Sequence, residues 1–336
     1  MLQKMRWACG AIALIVCWCA MSASASAQPA INGPTPPRFV PMTAPEEKNL
    51  ALVLRWYREV IEGGHLELAP RYQAASYIQH NPNVNTGLNG FLEAFSRDNA
   101  PVNPIPAQLE NPPPLAGARG DFVWILWQRR PRDLAPATPF YYHYRFELLR
   151  VEHNQVQEHW DAAQKYANTG KVLFGKSSQP LRRFDTGKPS AAERGARDIA
   201  IEAATQVYFH CHFELADRLF SADYIEHDPN LPYEPTLRKR LAAYESPHEL
   251  ETDEPAIALV NGELVVMMWN VSSADPDDGS RTYPWNYFHL MRVRHGRVVE
   301  HWDPDALRTS RGAAAAAIAG ALQRQAGRDC HPRADR

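Results

Sequence analysis

Near the start of the chain, apolar residues recur at the three- and four-residue spacing of an amphipathic helix, and Gly63-Gly64 marks its end. Residues 66–75 predict a second, short helix. A third apolar stripe after a His-Asn-Pro turn predicts a third helix. The residues of the first and third stripes are Leu50, Val53, Leu54, Tyr57, Val60 and Ile61, and Leu88, Phe91, Leu92 and Phe95.

The rest of each half of the chain is rich in strand-forming apolar and aromatic residues. Asn261-Gly262 predicts a hairpin with a type I′ turn, and His295-Gly296 is a weaker hairpin signal. Helices followed by an antiparallel meander predict an α+β fold. The predicted strands are residues 122–128, 140–151, 156–160, 256–260, 263–271, 285–293 and 297–302.

An internal repeat organises these elements. Residues 77–83 return 147 positions later as residues 224–230 with five of seven identical, and residues 150–161 return 142 positions later as residues 292–303. Such self-similarity predicts two tandem copies of one domain. The difference in offset is assigned to a Pro-rich loop in the first copy, because loops absorb length changes at little entropic cost.

The repeat divides the 336 residues into segments. We predict a signal peptide at residues 1–27, a disordered segment at 28–45, a first domain at 46–165, a linker at 166–195, a second domain at 196–308 and an Ala/Arg-rich tail at 309–336. The first segment combines Lys4 and Arg6, an apolar stretch and a small-residue cleavage site. This predicts an exported protein, periplasmic or secreted.

The charge, the apolar stretches and the cysteine count of the chain exclude several classes of partner and of protein. A net charge of −2 and a pI near 6.7 give no electrostatic footprint for nucleic acid. No later stretch approaches the roughly 20 apolar residues of a membrane span, so no membrane association is expected after signal cleavage. Only Cys211 and Cys330 remain outside the signal, which is no disulfide framework.

Three helices leading into strands, the Tyr-Ile-Gln-His-Asn-Pro turn at 77–82 and a last strand ending Glu-His-Trp-Asp resemble SnoaL-like proteins of the nuclear transport factor 2-like superfamily, in both copies. The resemblance implies two cone-shaped domains, each with about three helices closing a strongly curved, mainly antiparallel sheet around a pocket, and pairing through the outer sheet face. Members include polyketide cyclases, isomerases, dehydratases and binding proteins, so the fold does not fix the chemistry.

The resemblance also implies catalytic residues. A pocket aspartate that transfers the proton in the family's cyclases matches Asp161 and Asp303, and a loop histidine matches His80 and His227. The second copy departs from the first because Pro304 directly follows Asp303, which puts equal activity of the two pockets in doubt. The further ligand-binding candidates are Tyr77, Trp127, Tyr144, His159, Tyr224, Trp269 and His301.

Strand alternation supports this site from the residues themselves. His159 and Asp161 share one face of the last strand, opposite Glu158 and Trp160. If His159 and Asp161 point into an apolar pocket, desolvation raises the proton affinity of the carboxylate and makes it a useful base. Such a base could remove a proton α to a carbonyl, with His80 or Tyr77 donating to the enolate oxygen.

Other interpretations stay open. The Glu-His-Trp-Asp motif could anchor the strand end, with the acid paired to Arg145 or Arg150, and His80 and His227 could buttress their loops. His210-Cys211-His212 has no counterpart in the first copy and neighbouring helical side chains diverge, so no metal is expected. No phosphate loop or nucleophile elbow occurs, and no cofactor is expected.

The leading hypothesis is a protein that binds a small apolar or aromatic carbonyl compound, with cofactor-free proton transfer of isomerase or cyclase type. A non-catalytic binding protein and an interaction scaffold are the alternatives. We also expect the two copies to form an intramolecular pseudo-dimer through their sheets.

Overall fold

The computed structural model describes residues 40–96, 102–129, 143–167, 186, 188–227, 250 and 252–304. These residues form two five-stranded sheets, each accompanied by helices, so the expected mixed α+β class is confirmed. We call the part up to residue 167 the N-terminal unit and the part from residue 186 the C-terminal unit.

The N-terminal unit begins with α1, which leads directly into a π-helical segment. Glu46 in the first turn accepts the Thr43 amide at 2.7 Å and the Gly120 amide at 2.8 Å, which ties the helix start to a hairpin loop. The elements are α1 (Ala44–Trp56), the π segment (Tyr57–Glu62), a 3₁₀ turn (Leu66–Leu68), α2 (Ala69–Tyr72), β1 (Gln73–Gln79), α3 (Leu88–Ser96), β2 (Leu115–Arg119), β3 (Phe122–Arg129), β4 (His143–Glu152) and β5 (Gln155–Asp161).

The C-terminal unit follows the same order in the residues that the structure describes. Ser190 caps its first helix by accepting the Glu193 amide at 3.2 Å, with the Glu193 side chain reaching back as a capping box. The elements are α4 (Ala191–Glu202), a π segment (Ala203–Phe209), a 3₁₀ turn (Phe213–Leu215), α5 (Ala216–Leu219), β6 (Phe220–Glu226), β7 (Ile257–Asn261), β8 (Leu264–Ala274), β9 (Thr282–Arg294) and β10 (Arg297–Trp302).

The strand order is β1-β5-β4-β3-β2 in one sheet and β6-β10-β9-β8-β7 in the other. β1 runs parallel to β5 and β6 parallel to β10, whereas the other pairs are antiparallel. The expectation that all helices precede all strands was wrong, because β1 and β6 enter the sheets directly after the short helices. Residues 77–79 are therefore strand, and the turn begins at His80.

The predicted strands agree with the observed ones to within a few residues wherever the structure describes them, but β1, β2 and β6 were missed. The hairpin at Asn261-Gly262 is confirmed with a different turn, since Asn261 pairs with Leu264 and only Gly262 has a positive φ, of 62°. Asn261 stays in the strand because its side chain binds Trp124 and Ala118 of the other unit.

Each sheet has an inner face that packs against its own helices and an outer face that packs against the other unit. On the outer faces, the rings of Phe146 and Phe288 stack with centroids 5.5 Å apart. Trp124 Nε1 donates to Asn261 Oδ1 at 2.9 Å across the same contact. One buried apolar cluster therefore contains residues of both sheets.

Several predictions fall on residues outside the described ranges. These include the signal peptide, the tail, most of the linker, Cys330 and the third helical stripe of the second copy. The domain boundaries themselves stay predictions. Among the described helices, none has the length and apolar character needed to cross a membrane.

Candidate ligand sites on the inner sheet faces

The inner face of the N-terminal sheet carries a cluster of ionisable side chains at the end of β5. His159 and Asp161 lie two residues apart on this strand, and Asp161 is the cross-strand partner of Glu147 on β4. Ligand atoms of the three side chains lie within 4.8 Å of one another, and all three are buried. We call Glu147, His159 and Asp161 the N-terminal triad.

Both ring nitrogens of His159 face acceptors. Nε2 makes a very short hydrogen bond to the Glu147 carboxylate, and Nδ1 lies 3.0 Å from Gln79 Oε1. This is the donor pattern of an imidazolium. Burial lowers the pKa of His159, but the charge of Glu147, its hydrogen bond and the charge of Asp161 together outweigh burial, and the pKa is raised overall. Burial raises the pKa of Glu147, yet His159, Arg145 and a hydrogen bond from Tyr57 hold it below its ordinary value. The two side chains form a buried ion pair.

Asp161 is the triad member whose charge is least compensated. Its pKa is raised, first by burial and then by the nearby negative charge of Glu147, against the attraction of His159. Asn81 Nδ2 donates to one carboxylate oxygen at 2.7 Å and the Ala163 amide to the other at 3.0 Å. A carboxylate with raised proton affinity, held in a fixed orientation, is suited to accept and return a proton.

Two phenols and one guanidinium surround the triad. Burial, followed by the charges of Glu147 and Asp161, raises the pKa of Tyr57 and of Tyr77 well above 10, so both hydroxyls stay protonated donors. Gln79 Nε2 donates to the Tyr77 oxygen at 3.0 Å. Arg145 lies 4.0 Å from Glu147 with its side chain 55% exposed, which places this end of the triad next to solvent.

The C-terminal unit has a histidine at the same place in its sheet, with different neighbours. His301 Nδ1 lies 3.0 Å from Glu226 Oε1, and its Nε2 lies 2.6 Å from His289 Nδ1. Glu226 also accepts the hydroxyls of Tyr208 at 2.9 Å and Tyr224 at 2.5 Å. We call Glu226, His289 and His301 the C-terminal cluster.

An aromatic wall encloses this cluster. The ring of His289 lies 5.5 Å from Phe209, 5.8 Å from Trp269 and 5.1 Å from Tyr287, in edge-to-face contacts. Burial first, and the proximity of His301 second, hold the pKa of His289 well below its ordinary value. His289 is therefore a neutral ring inside an apolar wall.

Solvent access separates the two sites. In the N-terminal triad, Glu147 and His159 are each 7% exposed and Asp161 is 5% exposed. In the C-terminal unit, Glu226, His289, His301 and Asp303 are all 0% exposed. The N-terminal triad touches solvent, whereas the C-terminal cluster is sealed.

The structure does not bring His80 and His227 to these inner sites. His80 stacks on Trp160 at 4.6 Å and lies 3.4 Å from Glu158. His227 stacks on Trp302 at 4.8 Å and lies 3.0 Å from Glu300. Both belong to the outer faces, where Arg150 pairs with Glu158 and Arg292 with Glu300. The interpretation of Glu-His-Trp-Asp as an anchor therefore describes Glu158 and Trp160 well.

The other predicted ligand-binding residues divide in the same way. Tyr77 and Trp127 lie in the inner core of the N-terminal unit, and Tyr224 and Trp269 in that of the C-terminal unit. Tyr144 lies on the outer face instead, with its hydroxyl 3.3 Å from His227 Nδ1. Gln79 links Tyr77 to His159 on the inner face, whereas His80 and Tyr144 lie on the outer faces.

The N-terminal triad also has donor types that divalent cations use. In this arrangement these potential metal ligands already have hydrogen-bond partners. His159 Nε2 is bonded to Glu147, and each Asp161 oxygen accepts an N–H group. Arg145 supplies positive charge beside Glu147. The residues therefore fit an acid–base cluster better than a metal site. His210 pairs with Asp253 and His212 with Glu214, so these two histidines do not converge.

Several site residues were missed from the sequence. Glu147 lies on the inner face because it alternates with Phe146 and Leu148, and the 142-residue offset aligns it with His289. The 147-residue offset likewise aligns Gln79 with Glu226. Tyr57 and Tyr208 come from π segments, which often occur at functional sites. Comparing the repeats for polar substitutions on the strands would have found the first four.

Comparisons with solved structures give distant matches. A protein assigned to the SnoaL-like polyketide cyclases from Jannaschia sp. CCS1 is 14% identical and covers 36% of this chain and 88% of its own length, with a TM-score of 0.26. A protein assigned as a polyketide cyclase from Acidithiobacillus ferrooxidans is 19% identical over 36% of this chain and 89% of its own, with a TM-score of 0.24. One from Bacillus cereus is 15% identical over 39% and 85%, with a TM-score of 0.25.

No protein-family model matches the sequence, and no curated protein matches it. The matched structures are thus of low identity, and each covers 36–39% of this chain. The two five-stranded sheets repeat one strand order.

Proposed function

We propose that this chain is an exported protein of two tandem SnoaL-like domains, paired through their outer sheet faces as an intramolecular pseudo-dimer. We further propose that the N-terminal unit binds a small apolar or aromatic carbonyl compound and transfers a proton without a cofactor. The observation that carries the proposal is the buried N-terminal triad, in which the pKa of Asp161 is raised beside a Glu147–His159 ion pair.

The proposed step uses groups on the inner face. The Asp161 carboxylate accepts a proton α to the carbonyl, and the electron pair of that C–H bond moves into an enolate. Tyr77 donates a hydrogen bond to the enolate oxygen, since its phenol stays protonated. When the compound carries a β,γ carbon–carbon double bond, the enolate is a dienolate and Asp161 returns the proton at its γ carbon. The double bond moves into conjugation with the carbonyl, the protein is regenerated and the product is an isomer.

The ion pair has a supporting part in this proposal. A charged His159 next to Asp161 offsets the cost of the ionised base, while Glu147 keeps His159 charged and fixed in orientation. Arg145 at the solvent edge favours a ligand with an electron-rich oxygen. The C-terminal cluster is sealed, and we propose that it acts as core.

A thermal-shift screen of aliphatic and aromatic ketones tests ligand binding on the chain beginning at Gln28. A compound that binds the folded protein raises the melting temperature by mass action. Wild type is compared with Asp161→Asn and with the matched Asp303→Asn. We expect a shift that Asp161→Asn reduces and Asp303→Asn leaves intact. Equal shifts in all three proteins would contradict the assignment of the N-terminal triad.

Proton transfer is then measured directly on a ketone that shifts the melting temperature. The ketone is incubated in D₂O and its α-hydrogen exchange followed by NMR. General-base catalysis typically contributes 10²–10⁴-fold, so we expect Asp161→Asn to lose at least about 100-fold in rate. Binding without any exchange above the buffer rate would support the alternative, a non-catalytic binding protein. That alternative draws on the full hydrogen bonding of the Asp161 carboxylate.

A further inference from the structure

The C-terminal unit contacts the N-terminal site from outside. Asn286, on the outer face of β9 and 4% exposed, donates through Nδ2 to the Asp161 carbonyl at 3.2 Å and to the His80 carbonyl at 3.4 Å. These carbonyls lie at the ends of β5 and β1, where the His80 amide also donates to the His159 carbonyl at 3.0 Å. One side chain of the C-terminal unit thus clamps two strand ends of the N-terminal unit.

The clamped segments are the ones that hold the Asp161 carboxylate. Asn81, which donates to one carboxylate oxygen, directly follows His80, and Ala163, whose amide donates to the other, is two residues beyond Asp161. Fixing the two carbonyls therefore fixes both donors. A displacement of either segment would weaken a hydrogen bond to the ionised form of Asp161.

A second grip acts just beyond the site. The Lys165 amide donates to the Tyr283 hydroxyl at 3.1 Å, and Lys165 Nζ pairs with Asp275 at 2.5 Å and with Asp277 at 3.1 Å. All three partners belong to the C-terminal unit. The chain leaving β5 is therefore held on both sides of Ala163.

The reverse contact is different. Tyr144 aligns with Asn286 by the 142-residue offset, and its hydroxyl lies 3.3 Å from a ring nitrogen of His227. We infer that Asn286 is a positioning residue for Asp161, so that the C-terminal unit serves as a built-in holder of the N-terminal site. This inference rests on the proposed role of Asp161 as the proton-transferring group.

The test is an NMR titration of the full chain labelled with ¹³C at aspartate carboxyls, in which the Asp161 signal is the one lost in Asp161→Asn. Asn286→Leu removes the donor at nearly constant shape, and Asn286→Gln retains an amide donor. Trp124→Phe is the matched control, because it removes another buried hydrogen bond between the units, the 2.9 Å contact to Asn261. If Asn286→Leu does not fold, the smaller Asn286→Ser replaces it.

Loss of hydrogen bonds to a carboxylate raises its pKa. We expect the Asp161 midpoint to rise by about half a pH unit or more in Asn286→Leu, and to return to within about 0.2 of wild type in Asn286→Gln. Trp124→Phe is expected to lower stability and leave the midpoint in place. An unchanged midpoint in Asn286→Leu, or an equal shift in Trp124→Phe, overturns the inference. The titration needs no ligand, so a failure of the proposed catalysis is read separately.

Discussion

Two buried histidines occupy the same place in the two sheets, and each stands between a neighbour on the parallel strand and a neighbour on the antiparallel strand. His159 has Gln79 on the parallel side and Glu147 on the antiparallel side. His301 has Glu226 on the parallel side and His289 on the antiparallel side. The carboxylate therefore lies on opposite sides of the histidine ring in the two units, and each histidine contacts one carboxylate directly.

This difference in carboxylate position sets the surroundings of each histidine. Each buried histidine contacts one carboxylate, which comes from the antiparallel strand for His159 and from the parallel strand for His301. The strand that carries the carboxylate also decides which other groups surround it. In the N-terminal unit the carboxylate lies beside Arg145 and Asp161 near solvent, whereas Glu226 is covered by two tyrosines. The first arrangement reaches a solvent-exposed arginine, whereas the carboxylate and the histidines of the second are 0% exposed.

The largest effect is expected from removing the carboxylate of the sealed cluster. Glu226→Gln places an amide where His301 and two phenols donate, and leaves buried donors without an anionic acceptor. Losing one partner of a buried ionic network costs about 3–5 kcal/mol, so we expect the free energy of unfolding in urea to fall by about 3 kcal/mol. The exposed Glu214→Gln is the control and should change it by less than about 0.5 kcal/mol. Similar values for both variants would show that the cluster is not ionic.

Glu147→Gln tests the ion pair of Glu147 and His159 in the N-terminal triad. Its effect on the free energy of unfolding depends on pH. The lowered pKa of Glu147 means that its stabilisation is complete above its unfolded pKa and is lost as pH falls through the folded one. The raised pKa of His159 means that its stabilisation is complete below its unfolded pKa and is lost as pH rises through the folded one.

The free energy of unfolding of Glu147→Gln should therefore fall below that of wild type by the largest amount, about 2 kcal/mol, between about pH 4.5 and 6.5. This deficit should shrink at about pH 3 and again at about pH 9. Urea unfolding at these pH values measures it. A deficit that is constant across the range would mean that the contact is a neutral hydrogen bond.

A double exchange sharpens the comparison itself. Glu226→Gln with His289→Glu gives the C-terminal cluster the pattern of Gln79 and Glu147. If either side can supply the carboxylate, the double variant should be more stable than the sum of the single changes by about 1 kcal/mol or more. The four free energies of unfolding form a double-mutant cycle. Additive single effects would mean that the aromatic wall admits the carboxylate on one side only.

The smallest effect concerns Asp161. Its pKa is raised, so the stabilisation it gives is complete below its unfolded pKa and is lost as pH rises through the folded value. Asparagine does not ionise and avoids that loss. The stability of Asp161→Asn relative to wild type should therefore increase between about pH 3.5 and 7, by up to about 1 kcal/mol. A relative stability that decreases over this range would contradict the raised pKa.

Part of this architecture could be predicted from periodicity and repetition. The alternation on β5 separated His159 and Asp161 from Glu158 and Trp160, and the predicted strand 297–302 coincides with β10. The internal repeat predicted two copies of one domain, and the two sheets have the same strand order. The short helix was overextended, because strand β1 begins inside the segment predicted as helical and gains its hydrogen bonds from β5, 80 residues further along the chain.

The site was predicted only in part. Tyr77, His159 and Asp161 lie on the inner face of the N-terminal sheet, but the motif histidine His80 directly follows β1 and stacks on Trp160 of the outer face. Glu147 carries no motif and becomes visible only when β4 is placed beside β5 in register.

The sequence by itself determined which residues alternate on each strand, that the chain repeats, and which positions of the repeat differ in charge. These are local or aligned properties of the chain. The tertiary structure alone decided which face turns inward, which neighbour supplies the carboxylate to each histidine, and that Asn286 reaches the strand end of Asp161. Those depend on strand register and on the packing of the two outer faces, which bring together residues more than 100 positions apart.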